Sequence, residues 1–269
     1  MEWVAPGPAF LFCPADRPER FAKAAAAADV VILDLEDGVA PDRKEEARAA
    51  VAASTLNRAT TIVRVNPVNS PAHDSDMRML TASDFRLVML AKTTSADEVL
   101  SLEGFSVFPL CETPPGVMAI EEIVGCHNTV GVMWGAEDLV AALGGFSSRH
   151  DDGTFRDVAS YSRASALLTG GMRGRCTIDA VFLDIGDLEG QRRQAVDAAA
   201  MGFTANACVH PSQVAVVREA YRPNSDQVAW AREIIAAAQG RGGVFRVNDL
   251  MVDGPVIAQA QQLLARADP

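Results

Sequence analysis

The chain has 269 residues, 49% hydrophobic and 22% charged, the composition of an ordinary globular protein long enough to bury a substantial core. Lysine and arginine number 24 against 35 aspartates and glutamates, a formal net charge of −11. That balance excludes general binding to nucleic-acid backbones or anionic membranes, which needs a positive surface, but leaves room for a phosphorylated ligand in a local basic pocket.

The first segment, MEWVAPGPAFLFCPADRPERF, lacks a basic n-region, and Pro and Gly break its short apolar run, so it does not read as a signal peptide. No apolar stretch approaches the roughly 20 residues of a membrane span. Five cysteines lie scattered without a CxxC pair and read as free thiols packed as small hydrophobes. The expected compartment is a reducing cytoplasm.

Short apolar runs at 9–13, 30–35, 61–65, 87–90, 107–111, 131–134, 180–183 and 205–209 alternate with helix candidates at 17–28, 44–53, 96–102, 117–124, 191–200 and 213–220. The runs are continuously hydrophobic, as strands buried on both faces of a parallel sheet are. Eight strand–helix units in about 220 residues predict an α/β fold, the (β/α)8 TIM barrel. A doubly wound open sheet is the competitor, but no GxGxxG follows the first strand. Between strands six and seven lies a Gly/Ser/Asp-rich insertion at 144–157, GGFSSRHDDGTFRD, then a helix at 158–169. Past strand eight come a helix at 226–239, a glycine-rich turn, a β-like piece at 244–247 and a last helix at 255–265. The expected organisation is a barrel over 1–222 and a C-terminal helical extension over 223–269. That tail is short for an independent core, and the expectation is that it packs on the barrel or as a lid on a neighbouring subunit.

Barrel active sites sit where strands end. Strand two ends in Asp34-Leu35-Glu36-Asp37-Gly38, strand three in Arg64, strand five in Glu112, strand seven in Asp184 and strand eight in His210, while strand six runs into Gly135-Ala136-Glu137-Asp138. Any one of these reads equally as a helix cap or a surface charge. Together they form a carboxylate cluster with one arginine, which is costly unless a cation or ligand organises it. Oxygen donors without His or Cys companions suit Mg2+ or Mn2+ rather than Zn2+. Glu112 and Asp138 are the expected metal pair. Gly135 and Ala136, beside Glu137, leave backbone N–H groups open to a substrate carboxylate, and Arg64 offers a planar fork to a second carboxylate or an enolate oxygen. His210 reads either as a rim hydrogen-bonder or as a ligand contact.

The segments LFCPADRPERFAKA, VVILDLEDGVAPDRKEEAR, VRVNP, LCETPPGV, WGAEDLVAALGG, CVHPSQV and MVDGPVIAQA strongly resemble the citrate lyase beta subunit and its stand-alone relatives in the HpcH/HpaI aldolase superfamily, which includes malyl-CoA and citramalyl-CoA lyases. The likeness runs over about residues 9–260. It implies a trimeric barrel with Mg2+ on Glu112 and Asp138, and Arg64 against the acid or the developing oxyanion. It also implies that Asp253 reaches into a neighbouring subunit's site as acid/base. Without the likeness, Asp253 reads as the N-cap of the last helix. CoA-type ligands would lie over the first strands, where Arg17, Arg20, Lys23 and Lys44 are the local basic residues, equally readable as solvated helix charges.

The implied reaction is reversible, Mg2+-dependent cleavage of a 3-hydroxyacyl-CoA thioester of the malyl, citramalyl or 3-hydroxy-3-methylglutaryl type into acetyl-CoA and a 2-oxo acid or related carbonyl compound. Glu36 and Asp37 would act around the metal's waters. The alternatives are a citryl-thioester lyase subunit of a citrate lyase complex and a CoA-independent hydroxy-keto-acid aldolase.

Overall fold

In the computed structural model, which describes residues 3–267, eight parallel strands close into a barrel in chain order. They are β1 (Ala9–Pro14), β2 (Val30–Asp34), β3 (Thr61–Val65), β4 (Leu87–Leu90), β5 (Ser106–Cys111), β6 (Gly131–Trp134), β7 (Cys176–Asp179) and β8 (Ala205–Cys208), with β8 pairing back onto β1. The intervening helices are α1 (Phe21–Ala27), α2 (Lys44–Ala53), α3 (His73–Thr81), α4 (Ala96–Leu100), α5 (Pro114–Met118), α6 (Ile120–Val124), α7 (Ala136–Ala142), α8 (Asp157–Met172), α9 (Leu188–Met201) and α10 (Pro211–Tyr221). This is the (β/α)8 barrel that the alternating runs predict.

One apolar residue from every strand meets in a single cluster: Phe10, Ile32, Ile62, Met89, Phe108, Met133, Ile178 and Ala207. Large and small side chains complement one another there. Gly131 leaves the room that Phe108 fills, since a Cβ at 131 would fall 2.6 Å from its ring. Trp3 sets its indole edge-on against both Phe10 and Phe108, at centroid distances of 6.2 and 5.1 Å. All five cysteines are free and buried, as small hydrophobes in the core are.

Strand seven departs from the expectation. It is Cys176–Asp179, so the residue ending it is Asp179 rather than Asp184. A charge inside a strand reads as a breaker, but Asp179 is wholly buried and fully paired. Arg163 on α8 donates to its two oxygens at 3.0 and 2.8 Å, and Trp134 Nε1 donates at 2.8 Å. The apolar run 180–183 lies outside the sheet, with Leu183 58% exposed. Asp184 instead accepts the N–H groups of Gly186 and Asp187 and shapes a turn. The helix expected at 117–124 is also divided. Ala119 leaves helical geometry between α5 and α6.

The chain separates into two compact units, one reaching to Val217 and one beginning at Arg218. The second holds α11 (Ser225–Ala238), an antiparallel hairpin of β9 (Phe245–Val247) and β10 (Leu250–Val252), and α12 (Gly254–Ala267). A capping box of Asn224 and Gln227 starts α11. Ala231, Ile234, Val252 and Ala260 form a small buried cluster within this unit, while Val244 and Met251 stay exposed.

Replacing Arg163 with methionine would strand the Asp179 carboxylate in the interior. Urea unfolding should show a loss of about 3–5 kcal/mol, the usual consequence of removing one partner of a buried ion pair.

Candidate active site

The β2–β3 register sets Asp34 directly beside Arg64. Arg64 Nε and Nη2 donate to Asp34 Oδ1 and Oδ2 at 2.7 and 2.6 Å, a bidentate pair. The same oxygens accept the N–H groups of Glu36 and Gly38, both at 2.9 Å, so this carboxylate also folds the loop after β2. A Cβ at Gly38 would lie 2.3 Å from Asp34 Oδ2, which is why the loop carries glycine there. Nη1 of Arg64 stands 3.4 Å from Glu36, and the guanidinium lies over the Phe12 ring. Burial opposes the charge on Arg64, but the pair with Asp34 outweighs it and raises its pKa.

The β5–β6 register pairs Cys111 with Trp134, and the next residues along, Glu112 and Gly135, meet at the rim. A Cβ on Gly135 would sit 2.7 Å from Glu112 Oε2, so the missing side chain is what gives this carboxylate its space. Glu112 is 3% exposed. Burial, and then the like charge of Asp138, push its pKa up to about 8. A buried carboxylate that resists ionising, with a second carboxylate lining the same cavity, is a donor pair for a dication, which offsets both the desolvation and the repulsion. Among the described residues no group of three or more His, Cys, Asp or Glu forms a metal cage. Mg2+ suits such a site, because it keeps several positions for water and substrate oxygens.

Lys92, just past β4, joins these groups. A charged residue just past the fourth apolar run carries the same strand-end signal as the acids on the neighbouring strands. Its backbone, at φ +50°, is in the left-handed region, and its N–H donates to Glu112 Oε1 at 3.1 Å. Its ammonium contacts Glu36, Asp37 at 2.8 Å and Asp138 at 3.3 Å. Burial disfavours the ammonium, but Asp37 and Glu36 more than compensate and raise its pKa. Burial raises the pKa of Glu36 despite Arg64 and Lys92. Asp37 is also desolvated, yet the hydrogen bond from Lys92 holds it below the ordinary value.

A cavity of about 300 Å3 opens over these residues. Asp34, Arg64, Glu112, Glu137 and Asp138 line it together with Gly135 and Ala136, and Phe12, Leu110, Met133 and Leu183 give it apolar walls. Glu137 is oriented by the insertion, where the buried Ser148 donates to it at 2.6 Å. A second hollow of about 300 Å3 is lined by Arg20, Lys23 and His210 with Phe12 and Pro14. His210 Nδ1 accepts the Ser212 N–H at 3.2 Å.

Three further expected residues have local partners. Lys44 is engaged within the chain. Its ammonium is spent on the carbonyls of Leu35 and Glu36 and on Asn66 Oδ1, at 2.7, 3.0 and 2.7 Å, bracing the loop after β2 from behind. Arg17 is paired with Asp16 at 3.7 Å and lines neither hollow. Asp253 opens α12, its Oδ1 accepting the Val256 N–H at 3.4 Å, as an N-cap does.

Residues 9–211 match the HpcH/HpaI aldolase/citrate lyase family. The chain belongs to that family. It is 50% identical over 267 residues to the citrate lyase subunit beta-like protein of Mycobacterium tuberculosis, covering 99% of this chain and 98% of that one. It is 31% identical over 278 residues to the mitochondrial citramalyl-CoA lyase of Rattus norvegicus, covering 89% of this chain and 79% of the relative. Among solved structures, CitE from Mycobacterium tuberculosis in complex with magnesium, acetoacetate and coenzyme A superposes with a TM-score of 0.96 at 50% identity, over 98% of this chain and 99% of that one. Like these relatives, the protein is a carbon–carbon lyase.

The raised pKa of Glu112 has a measurable consequence. The folded, chelator-treated protein holds a proton on Glu112 up to about pH 8, whereas the unfolded chain releases it near 4.5. Stability therefore falls as pH rises through that window. Melting temperatures of wild type and Glu112→Gln, taken from pH 5 to 8, should diverge with wild type losing more, and added Mg2+ should recover the loss in wild type only.

Proposed function

We propose that the protein is a Mg2+-dependent lyase, with Mn2+ as a substitute metal, that reversibly cleaves a 3-hydroxyacyl-CoA thioester of the malyl, citramalyl or 3-hydroxy-3-methylglutaryl type. The products are acetyl-CoA and a 2-oxo acid or related carbonyl compound. The observation that carries this reading is the Glu112–Asp138 pair facing Arg64 across one apolar-walled cavity. The relatives support it, since they include a citramalyl-CoA lyase and a protein solved with magnesium, acetoacetate and coenzyme A. The hollow carrying Arg20 and Lys23 favours a CoA thioester over a free hydroxy-keto acid, because it offers cations to phosphates beside the same strand.

Glu112 and Asp138 would hold the divalent ion, which supplies Lewis-acid polarisation of the substrate's oxygen atoms. The substrate's hydroxyl gives its proton to water in the cavity, its oxygen becomes the carbonyl of one product, and as the carbon–carbon bond breaks, its electron pair passes to the thioester fragment as an enolate. Arg64, already rigid on Asp34, presents fixed positive charge where that negative charge develops. Gly135 and Ala136 let the substrate approach the backbone, and Glu137, fixed by Ser148, shapes the acyl end. Glu36 and Asp37, tied to Lys92, would order water around the metal. Asp253 would give the enolate carbon its proton, or remove a methyl proton in the synthetic direction, acting in a neighbouring subunit of a homotrimer. Among the described residues no helix is long and apolar enough to cross a membrane, and the cytoplasm is the proposed compartment.

A panel of 3-hydroxyacyl-CoA thioesters assayed with Mg2+ for release of the carbonyl product should identify one preferred acyl group, and no turnover on any of them would refute the reading. Glu112→Ala and Asp138→Ala should each abolish the Mg2+-dependent reaction with circular dichroism unchanged. Asp253→Asn should bind metal and substrate normally but lose about 10²–10⁴-fold in kcat, the usual worth of a positioned acid/base. Mixing Asp253→Asn with Glu112→Ala under subunit exchange should restore part of the activity. Exchange without any recovery would eliminate the shared site.

A further inference from the structure

Lys92 stands apart from the other basic residues of the rim. The Arg64 guanidinium is fixed in a bidentate pair with Asp34, and the Lys44 ammonium is held by two carbonyls and an amide. Lys92 instead touches both members of the proposed metal pair, through its N–H on Glu112 and its ammonium on Asp138. It bridges them to the acidic loop through Glu36 and Asp37.

Its placement is anchored at both ends. The left-handed backbone at φ +50° is one that side-chain-bearing residues seldom adopt, and it is what aims the N–H at Glu112. Three carboxylates fix the far end, so the charge cannot swing into solvent without giving up all three. A fixed ammonium against a metal ligand repels a dication on that ligand. The repulsion acts over a few ångströms in a half-buried site, where salt screens little.

We propose that Lys92 is a positioning residue that sets the divalent-ion affinity of the Glu112–Asp138 pair, its fixed charge holding that affinity down while its contacts tie the Glu36–Asp37 loop to the metal ligands. This rests on the metal assignment made above. The chemical sense is that a pair of acids surrounded by further carboxylates would otherwise bind a dication so firmly that exchange with substrate-bound states becomes slow. Lys92 offsets that excess charge by one unit, and does so without filling a coordination position with a strong ligand.

The test is direct titration of the purified full chain with Mn2+, read by the loss of the free-ion paramagnetic signal, at about pH 8.5 and without substrate. Lys92→Met and Lys92→Gln are expected to bind Mn2+ at least tenfold more tightly than wild type. Lys92→Arg, which keeps the charge, should stay within about threefold of wild type. The glutamine variant keeps a donor for Glu36, so it reports even where the methionine variant does not fold. A residue that merely supports the fold would not tighten metal binding when removed.

Unchanged or weaker binding in a neutral variant with a normal melting curve overturns the inference. Glu112→Gln separates the two levels of the argument. Should it bind Mn2+ as wild type does, the metal assignment fails and this inference with it. Should it lose binding while the neutral Lys92 variants fail to tighten, the metal pair stands and only the role of Lys92 falls.

Discussion

Accumulated negative charge at one end of a barrel is the constraint around which the rest of this site is arranged. Asp34, Glu36, Asp37, Glu112 and Asp138 converge there, and three of them are almost completely buried. Carboxylates brought together out of water repel one another and lose hydration at once, so each must be paired, protonated or given to a metal. The first two are both seen here. Asp34 is paired with Arg64, Asp37 is held ionised by Lys92, and Glu112 keeps its proton to unusually high pH.

The fold makes that arrangement possible at modest cost because neighbouring strands end level. Direct pairing of Asp34 with Arg64 across β2 and β3 is a consequence of register, and so is the approach of Glu112 to Gly135 across β5 and β6. A slip of one residue would turn each of these side chains to the opposite face. The helices contribute from outside the barrel. Lys44 at the start of α2 reaches back to the loop carbonyls and Asn66, while Asn66 in turn donates to the buried Asp76, which Arg48 neutralises. The rim is therefore backed by a second polar layer, so the acids at the cavity rest on groups whose own hydrogen bonds are satisfied.

The barrel was legible because its signal is repeated eight times. Each strand is a short apolar run, and the alternation with helices tolerates an error in any one unit. The error that occurred, at strand seven, is instructive. Asp179 is allowed in the strand only because Arg163 and Trp134, distant in sequence, meet its carboxylate. No local pattern announces that pairing. The partners of Lys44 are hidden from the sequence for a related reason, since an ammonium near the N-terminus of a helix looks solvated until the neighbouring loop is folded over it. Lys92 was legible and was passed over, being a polar residue at a strand end like the others.

Residue order alone determined the repeating architecture, the net negative charge and the choice of hard oxygen donors at the strand ends, because hydrophobic periodicity and side-chain chemistry are local properties. The motif likeness added an expectation of which acids hold the metal. Tertiary structure alone decided which charges cancel which. Whether a lysine faces phosphate or a carbonyl, whether an aspartate ends a strand or sits within it, and whether a glutamate is ionised all depend on groups far away in sequence, and electrostatic energy depends on distance in space and on burial, neither of which the linear order contains.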